Sequence, residues 1–117
     1  MRKALFLMLV MGGLAVAAFG QVVPVVDTID HAIAAPGSVI TAVGVNLEKE
    51  KVAEVFLTDG LEDLKVVILE QKGNELKFKV PINARLGIFN IMLETAQDPP
   101  VLLVQPVKCE IISETEE

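Results

Sequence analysis

Apolar and polar residues alternate along several short stretches of the chain, which is the pattern of half-buried β-strands. The clearest stretch covers residues 75–80, where Leu76, Phe78 and Val80 would point to one face and the intervening charged residues to the other. Pro81 then ends the strand, because it has no backbone N–H to donate to a sheet. The alternation predicts a strand with one face on a hydrophobic core and the other in water.

Turn-forming residues cut the sequence into similar short pieces. Turns are predicted at Pro36-Gly37, Asp59-Gly60, Gly73-Asn74 and Asp98-Pro99-Pro100. The strands predicted between them are Val25–Ile29, Val39–Val45, Lys51–Thr58, Leu64–Glu70, Glu75–Val80, Gly87–Leu93 and Val101–Ile112. In the sixth strand, Phe89, Ile91 and Leu93 share one face. Pro106 in the seventh indicates an edge position or a β-bulge.

Residues 21–117 contain no strong helical pattern. Residues 46–51 allow a short helical turn capped by Asn46, but a solvated charged loop is favoured. About seven short strands in roughly 90 residues indicate an all-β fold, an immunoglobulin-like two-sheet β-sandwich. The sandwich is expected to span residues 21–112, followed by a frayed acidic tail over residues 113–117.

The first twenty residues have the order of a signal peptide. Arg2 and Lys3 precede a run of sixteen mostly apolar residues, which ends in small residues before Gln21. The run is shorter than the roughly 18–20 residues of a spanning helix, so cleavage after Gly20 is favoured over an uncleaved anchor. We therefore expect an exported protein, periplasmic, at the cell surface or extracellular, that meets the membrane only transiently through this segment.

Charge and aromatic content narrow the range of partners. After residue 20 the chain has eight basic and sixteen acidic residues, a net charge of −8. This acidity argues against nucleic acid and anionic membrane surfaces as partners. The same part contains three phenylalanines and no Trp or Tyr. Sugar rings and bases commonly stack on aromatic side chains, so carbohydrate binding is the weaker expectation.

A set of short motifs links the chain to a known family. They are Pro36-Gly37, Ile40-Thr41-Ala42-Val43-Gly44-Val45-Asn46-Leu47, Val55-Phe56-Leu57, Val80-Pro81 and Gly87-Ile88-Phe89-Asn90-Ile91. With them, residues 36–112 resemble the IPT/TIG family, the immunoglobulin-like domains of plexins and certain transcription factors, also found in bacterial surface proteins. Leu47 stands where the family usually has Phe. The resemblance implies an immunoglobulin-like fold and a modular interaction role, without shared catalytic residues.

Two acidic clusters are candidate cation sites. His31 follows Asp27 and Asp30, but neighbouring side chains on a strand diverge, and zinc needs more nitrogen or sulfur ligands. Around Gly60 lie Asp59, Glu62 and Asp63, whose spacing departs from that of a calcium-binding EF-hand loop. A weak surface calcium site at this tip is the alternative to a solvated turn. For the cluster near His31, a polar exit from the strand is favoured, and for the cluster around Gly60, a solvated hairpin tip is favoured. Neither a metal nor a cofactor is therefore predicted.

Nucleophilic catalysis lacks a recognisable set of residues. Ser38 and Ser113 are the only serines after residue 20, and neither lies in a Gly-x-Ser-x-Gly motif. A Cys109–His31 pair is conceivable, but an inward-facing Cys109 would stay a neutral thiol. The chain is therefore predicted not to be an enzyme.

Cys109 is the single cysteine, so the chain cannot form an internal disulfide. It alternates with Val107 and Ile111 on one strand face, which favours burial over an intermolecular disulfide.

Some predicted strands carry apolar residues on both faces, more than a sandwich of this size can bury. A candidate partner surface is therefore predicted at Val67, Leu69, Leu102, Val104 and Ile112. The leading hypothesis is an exported, non-enzymatic module acting in protein–protein interaction or surface assembly, its partner another protein or a second copy. The alternative is a carbohydrate-binding accessory domain that works beside a separate enzyme.

Overall fold

The computed structural model describes residues 23–113, which form two β-sheets. In chain order the strands are β1 (Val25–Ile29), β2 (Ile33–Ala34), β3 (Val39–Val45), β4 (Val52–Thr58), β5 (Asp63–Lys65), β6 (Val67–Lys72), β7 (Glu75–Lys79), β8 (Gly87–Thr95) and β9 (Leu102–Ile111). The predicted signal peptide and residues 114–117 of the predicted tail lie outside the described residues. Over residues 23–113 no helix has the length and apolarity needed to cross a membrane.

The strand order is that of an immunoglobulin-like sandwich. One sheet has the order β1-β3-β7-β6, and the other has the order β2-β9-β8-β4-β5. Neighbours pair antiparallel except β2, which pairs parallel with the end of β9. In immunoglobulin lettering the first sheet is A-B-E-D, and the second contains G-F-C in that order. The predicted all-β, two-sheet fold is therefore confirmed.

The core lies between the two sheets and uses the faces that alternation predicted. Leu76, Phe78 and Val80 are at most 1% exposed, and Ile91 from the opposite sheet is fully buried. Burying one such side chain contributes about 1.5–3 kcal/mol relative to leaving it in water. The inward face predicted for Phe89, Ile91 and Leu93 is also confirmed, since each is at most 2% exposed.

The single strand predicted over Leu64–Glu70 is wrong, because the chain changes sheets there. Residues 63–65 pair with β4, whereas residues 67–72 pair with β7 in the other sheet. At the crossing, the Val66 N–H donates to the Val55 carbonyl oxygen at 3.1 Å, and the Val66 side chain is buried. The segment therefore runs along the side of the sandwich and contributes a short strand to each sheet.

Other irregular positions follow the sequence more closely. Residues 46–51 form a turn rather than a helix, as favoured, and Asn46 has φ of 57°, which is not an N-cap conformation. The irregularity expected at Pro106 is a β-bulge, since pairing with β8 shifts between Val104 and Lys108. The two-residue strand β2 was not predicted.

Gly44 marks the closest approach of β1 to β3. A Cβ atom at this position would lie 1.9 Å from the Val25 carbonyl oxygen, which is a severe overlap. The approach coincides with a bulge in β1 between Val26 and Thr28. Glycine is therefore required here by space.

Candidate partner-binding surfaces

The five residues predicted as a partner surface do not form one surface. Val67 and Leu69 lie on β6 and are 58% and 52% exposed, whereas Leu102 and Val104 lie on β9 and are 54% and 60% exposed. Since β6 and β9 belong to different sheets, their outward residues point away from each other across the sandwich. Ile112 is half-buried, and its N–H donates to the Ala34 carbonyl oxygen at 2.9 Å. The sequence thus identified two separate exposed regions.

The outer side of the five-stranded sheet carries an apolar row across three strands. Val104 of β9 pairs with Met92 of β8, which in turn pairs with Phe56 of β4. Met92 is only 4% exposed although it points outward, because its neighbours cover it. Lys65 lies at the end of the row, opposite Phe56. We call this row, Val104, Met92, Phe56 and Lys65, the methionine face. Protein interfaces likewise have an apolar core surrounded by a polar rim.

The outer side of the four-stranded sheet carries a second set of exposed aliphatic residues. We call it the valine face, and its apolar members are Val25, Val39, Val43, Val45 and Val67, which are 37–58% exposed. Only Val67 was part of the predicted surface. The signal for the three valines of β3 was present in the sequence, since they alternate with Ile40, Ala42 and Gly44, whose side is inward.

A column of charged residues of both signs, Glu75, Lys77 and Lys79, runs beside these valines on β7. Glu75 lies opposite Val43, and Lys79 lies opposite Val39 on one side and Val67 on the other. Between them, the Lys77 ammonium lies 3.6 Å from the Glu70 carboxylate of β6. The valine face therefore combines a strip of aliphatic residues with charges of both signs.

Strand β6 is one of the two edge strands of the four-stranded sheet, β1 being the other, and the shape of β6 disfavours pairing with another strand. Its register shifts between Ile68 and Glu70, so that Leu69 is the extra residue of a bulge. Bulges and edge lysines such as Lys72 are common means by which proteins prevent edge-to-edge pairing. The sheet faces are consequently better candidates for contact than this edge.

The acidic turn after β4 is organised by an arginine from a distant loop. The Asp59 Oδ1 atom accepts hydrogen bonds from the N–H groups of Glu62 and Leu61, at 2.7 and 2.8 Å. Arg85 Nη2 lies 2.6 Å from Asp59 Oδ2 and 3.2 Å from a Glu62 oxygen, and its guanidinium lies over the Phe89 ring. The Glu62 and Leu61 N–H groups, followed by Arg85, hold the pKa of Asp59 well below its usual value. Arg85 thus occupies the position beside two carboxylates that a calcium ion would need.

The other acidic cluster also has an internal explanation. Asp30 Oδ1 lies 3.1 Å from His31 Nδ1 and accepts a hydrogen bond from the Thr41 N–H at 2.9 Å. Within residues 23–113, no three or more His, Cys, Asp or Glu side chains come together in a group that could hold a metal ion. The hydrogen bond between Asp30 and Thr41 thus links the end of β1 to β3.

Cys109 is fully buried and faces the core, as alternation with Val107 and Ile111 predicted. Burial raises the pKa of its thiol to about 11. The thiol lies 3.8 Å from the backbone carbonyl oxygen of His31, while the His31 imidazole is exposed and paired with Asp30. The conceivable Cys109–His31 nucleophile–base pair is therefore not formed.

No protein-family model matches the sequence, and no curated protein is similar to it. Similar folds occur in solved structures of Bacteroides proteins. One is the SGBP-B protein of the Bacteroides ovatus mixed-linkage glucan utilization locus, solved in complex with a mixed-linkage heptasaccharide. It is 18% identical to this chain with a TM-score of 0.55, and the match covers 90% of this chain and 24% of that protein. An auxiliary nutrient binding protein from Bacteroides ovatus is 20% identical, with a TM-score of 0.56, over 79% of this chain and 21% of its own.

A third similar structure, from Bacteroides vulgatus, is named for a suggested DNA-binding role. It is 14% identical, with a TM-score of 0.64, over 95% of this chain and 53% of its own. The chain thus spans about a quarter or less of the first two proteins and about half of the third. At these identities the likeness shows a shared fold.

Proposed function

We propose that this chain is an exported, non-catalytic immunoglobulin-like module that binds another protein, or a second copy of itself, through the outer face of one sheet. The observation that carries the proposal is that both sheets have exposed aliphatic residues on their outer faces. Val43, Val67 and Val104, for example, are 45–60% exposed. The core between the sheets consists of other residues, so about half of the surface of these side chains stays in water in the single chain. Contiguous exposed apolar residues with a polar margin mark interaction sites.

The comparisons support a modular role. The similar folds are portions of longer proteins, two of which are named for nutrient binding or were solved with a bound oligosaccharide. A module of this kind contributes a contact surface or a spacer to a larger binding system. The acidic charge of the chain favours protein partners over the DNA-binding role suggested for the third protein.

Membership of the IPT/TIG type is part of the proposal. Three residues of the matching motif have specific structural roles in this chain. Gly44 leaves space for the Val25 carbonyl oxygen, Asn46 takes a positive φ, and Leu47 is fully buried at the position where the family usually has Phe. These roles explain why the motif needs a small residue, a residue that tolerates positive φ, and a large apolar residue in that order.

Export rests on residues 1–20 and has its own test. Intact mass of the protein recovered outside the cytoplasm should correspond to a chain that begins at Gln21. A membrane-bound product that retains residues 1–19 would contradict cleavage after Gly20.

The binding proposal is tested by site-specific photocrosslinking in intact cells. A photoreactive residue is placed at Val104 on the methionine face, at Val43 on the valine face, or at Gln97 in an exposed loop as the control. We expect one discrete crosslinked product from at least one face and none from the loop. Absence of crosslinks from both faces, or equal products from the loop, would contradict the proposal.

Carbohydrate binding is the second candidate, favoured by the oligosaccharide present in one similar structure. A groove of about 550 Å³ near β4 and β6 is lined by Ala53, Glu54, Lys65, Val66, Val67, Ile68 and Gln71, none of them aromatic. Phe78 and Phe89 are buried in the core, which leaves only half-buried Phe56 to stack on a sugar among the described residues. Depletion of the mature protein by insoluble polysaccharide would favour this candidate, and full recovery in the supernatant would exclude it for the polysaccharides used.

A further inference from the structure

The valine face has a charge order that is complementary to itself. Along β7 the outward residues are Glu75, Lys77 and Lys79, and the residues beside them on β3 are Val43, Thr41 and Val39. Thr41 and Lys77 form the middle row of this arrangement. One outer row holds Val43, Glu75 and, on β6, Lys72, and the other holds Val39, Lys79 and, on β6, Val67.

A two-fold axis along the middle row brings these unlike rows together. The axis lies in the plane of the face, parallel to the middle row and perpendicular to the strands. Rotating a second copy by 180° about this axis reverses the direction of its strands and exchanges its two outer rows. Glu75 of one copy then lies over Lys79 of the other, and Val43 lies over Val39. Each contact occurs twice because a two-fold interface repeats every pair. Lys77 lies on the axis and faces Lys77 of the other copy, and the Glu70 carboxylate of its own chain, 3.6 Å away, offsets this repulsion.

We infer that the valine face is the interface of a homodimer, in which the four-stranded sheets of two copies pack face to face with valine on valine and Glu75 beside Lys79. This inference rests on the proposed function and names its partner as a second copy. Flat β-branched side chains suit face-to-face packing of sheets about 10 Å apart. The self-complementary charges favour a second copy, because an unrelated partner would not need this two-fold order.

The size of the face sets the expected strength. Four strands about 4.8 Å apart and roughly six residues long give a face of about 20 Å by 20 Å. That area is below the roughly 800 Å² per partner of a standard interface, so the dimer should be weak and depend on concentration. Micromolar to near-millimolar protein is the range in which it should be observed.

The test is a pair of charge reversals measured by sedimentation equilibrium on the mature protein. Glu75→Lys places lysine over Lys79, and Lys79→Glu places glutamate over Glu75. Each single variant should weaken self-association at least about tenfold, since like charges then face each other at two places. An equimolar mixture of the two variants should associate as strongly as the unchanged protein, because every pair in the mixed dimer is again of unlike charge. Lys108→Glu on the other sheet is the matched control and should associate normally.

Urea unfolding of each variant checks that the fold is intact, and Val43→Lys gives a second, independent disruption of the face. The unchanged protein sedimenting as a monomer up to about 1 mM overturns the inference. Single variants that associate normally, or a mixture no stronger than its components, overturn it as well. A crosslink from Val104 to a different protein in cells would leave the proposed function standing, so the two failures are distinguishable.

Discussion

The Gln105 side chain of β9 accepts a hydrogen bond from the backbone N–H of Val26 in β1, 79 residues earlier in the chain, at 2.8 Å. Gln105 is 5% exposed, and its amide nitrogen donates to the Leu103 carbonyl oxygen at 3.2 Å. Its backbone oxygen accepts from the Asn90 side chain at 2.8 Å. The β-bulge around Pro106 thus positions one polar side chain that joins the edge strand of one sheet to the other sheet.

Gln105→Ala should destabilise the domain by about 1–3 kcal/mol, because it leaves the buried Val26 N–H without an acceptor. Gln97→Ala in the exposed loop before Asp98 is the matched control and should change the unfolding free energy by less than about 0.5 kcal/mol. Urea denaturation of the mature protein measures both. Equal stability of the two variants would show that the Gln105 hydrogen bond contributes nothing.

Phe78→Ala and Phe89→Ala should each destabilise the domain by about 3–5 kcal/mol, as removal of a buried aromatic ring does. Both phenylalanines are at most 2% exposed. Lys77→Ala, on the outward side of the same strand as Phe78, should stay within about 0.5 kcal/mol. Urea melts in which Lys77→Ala and Phe78→Ala lose similar stability would contradict the strand register.

Where alternation and turn residues agreed, the sequence was sufficient to predict the strands. Val25–Ile29 and Val39–Val45 have the bounds that were predicted. The prediction failed at Leu64–Glu70 because residues 66–69 are all apolar, so no change in alternation marks the point where the chain changes sheets, at the hydrogen bond from the Val66 N–H to the Val55 carbonyl oxygen. Strand β2 has two residues, too few to show alternation.

The candidate surfaces were predictable only in part. Exposure of Val104 followed from its parity relative to the inward-facing Cys109, whereas Val67 lies in an all-apolar run in which either face could be inward. Parity also does not say which strands lie in which sheet. The separation of these two residues onto opposite faces therefore required the topology. Gln105 was overlooked although it shares the inward parity of Cys109, and the Asp59–Arg85 pair joins turns 26 residues apart without any local signal.

Cys109 should be unreactive in the folded protein and should not form an intermolecular disulfide. Its thiol is fully buried, and burial raises its pKa to about 11, so little thiolate exists at pH 8. Alkylation with iodoacetamide at pH 8 should be slow in buffer and rapid in concentrated urea. Fast labelling of the native protein, or a dimer on a non-reducing gel, would contradict the buried position.

Acid should weaken the turn that Asp59 organises. The folded-state pKa of Asp59 is lowered, so its contribution to stability is complete above the ordinary value of about 4 and is lost as the pH falls below it. Asp59→Asn should therefore lower the melting temperature at pH 7 and have a much smaller effect near pH 2. Asp63→Asn, an exposed neighbour in the same region, is the control and should have little effect on melting at pH 7. A pH-independent difference for Asp59→Asn would contradict the role of its charge.

The central claim, that an outer sheet face binds a partner, is tested most directly by chemical crosslinking in intact cells, without a photoreactive residue, in two double variants. Val67→Lys with Leu69→Glu alters the four-stranded sheet, and Leu102→Lys with Val104→Glu alters the five-stranded sheet. Both pairs are exposed, so both variants should melt within a few degrees of the unchanged protein. The account predicts that one double variant loses its crosslinked product and the other keeps it, because a partner contacts one face. Unchanged crosslinks in both folded variants would contradict it.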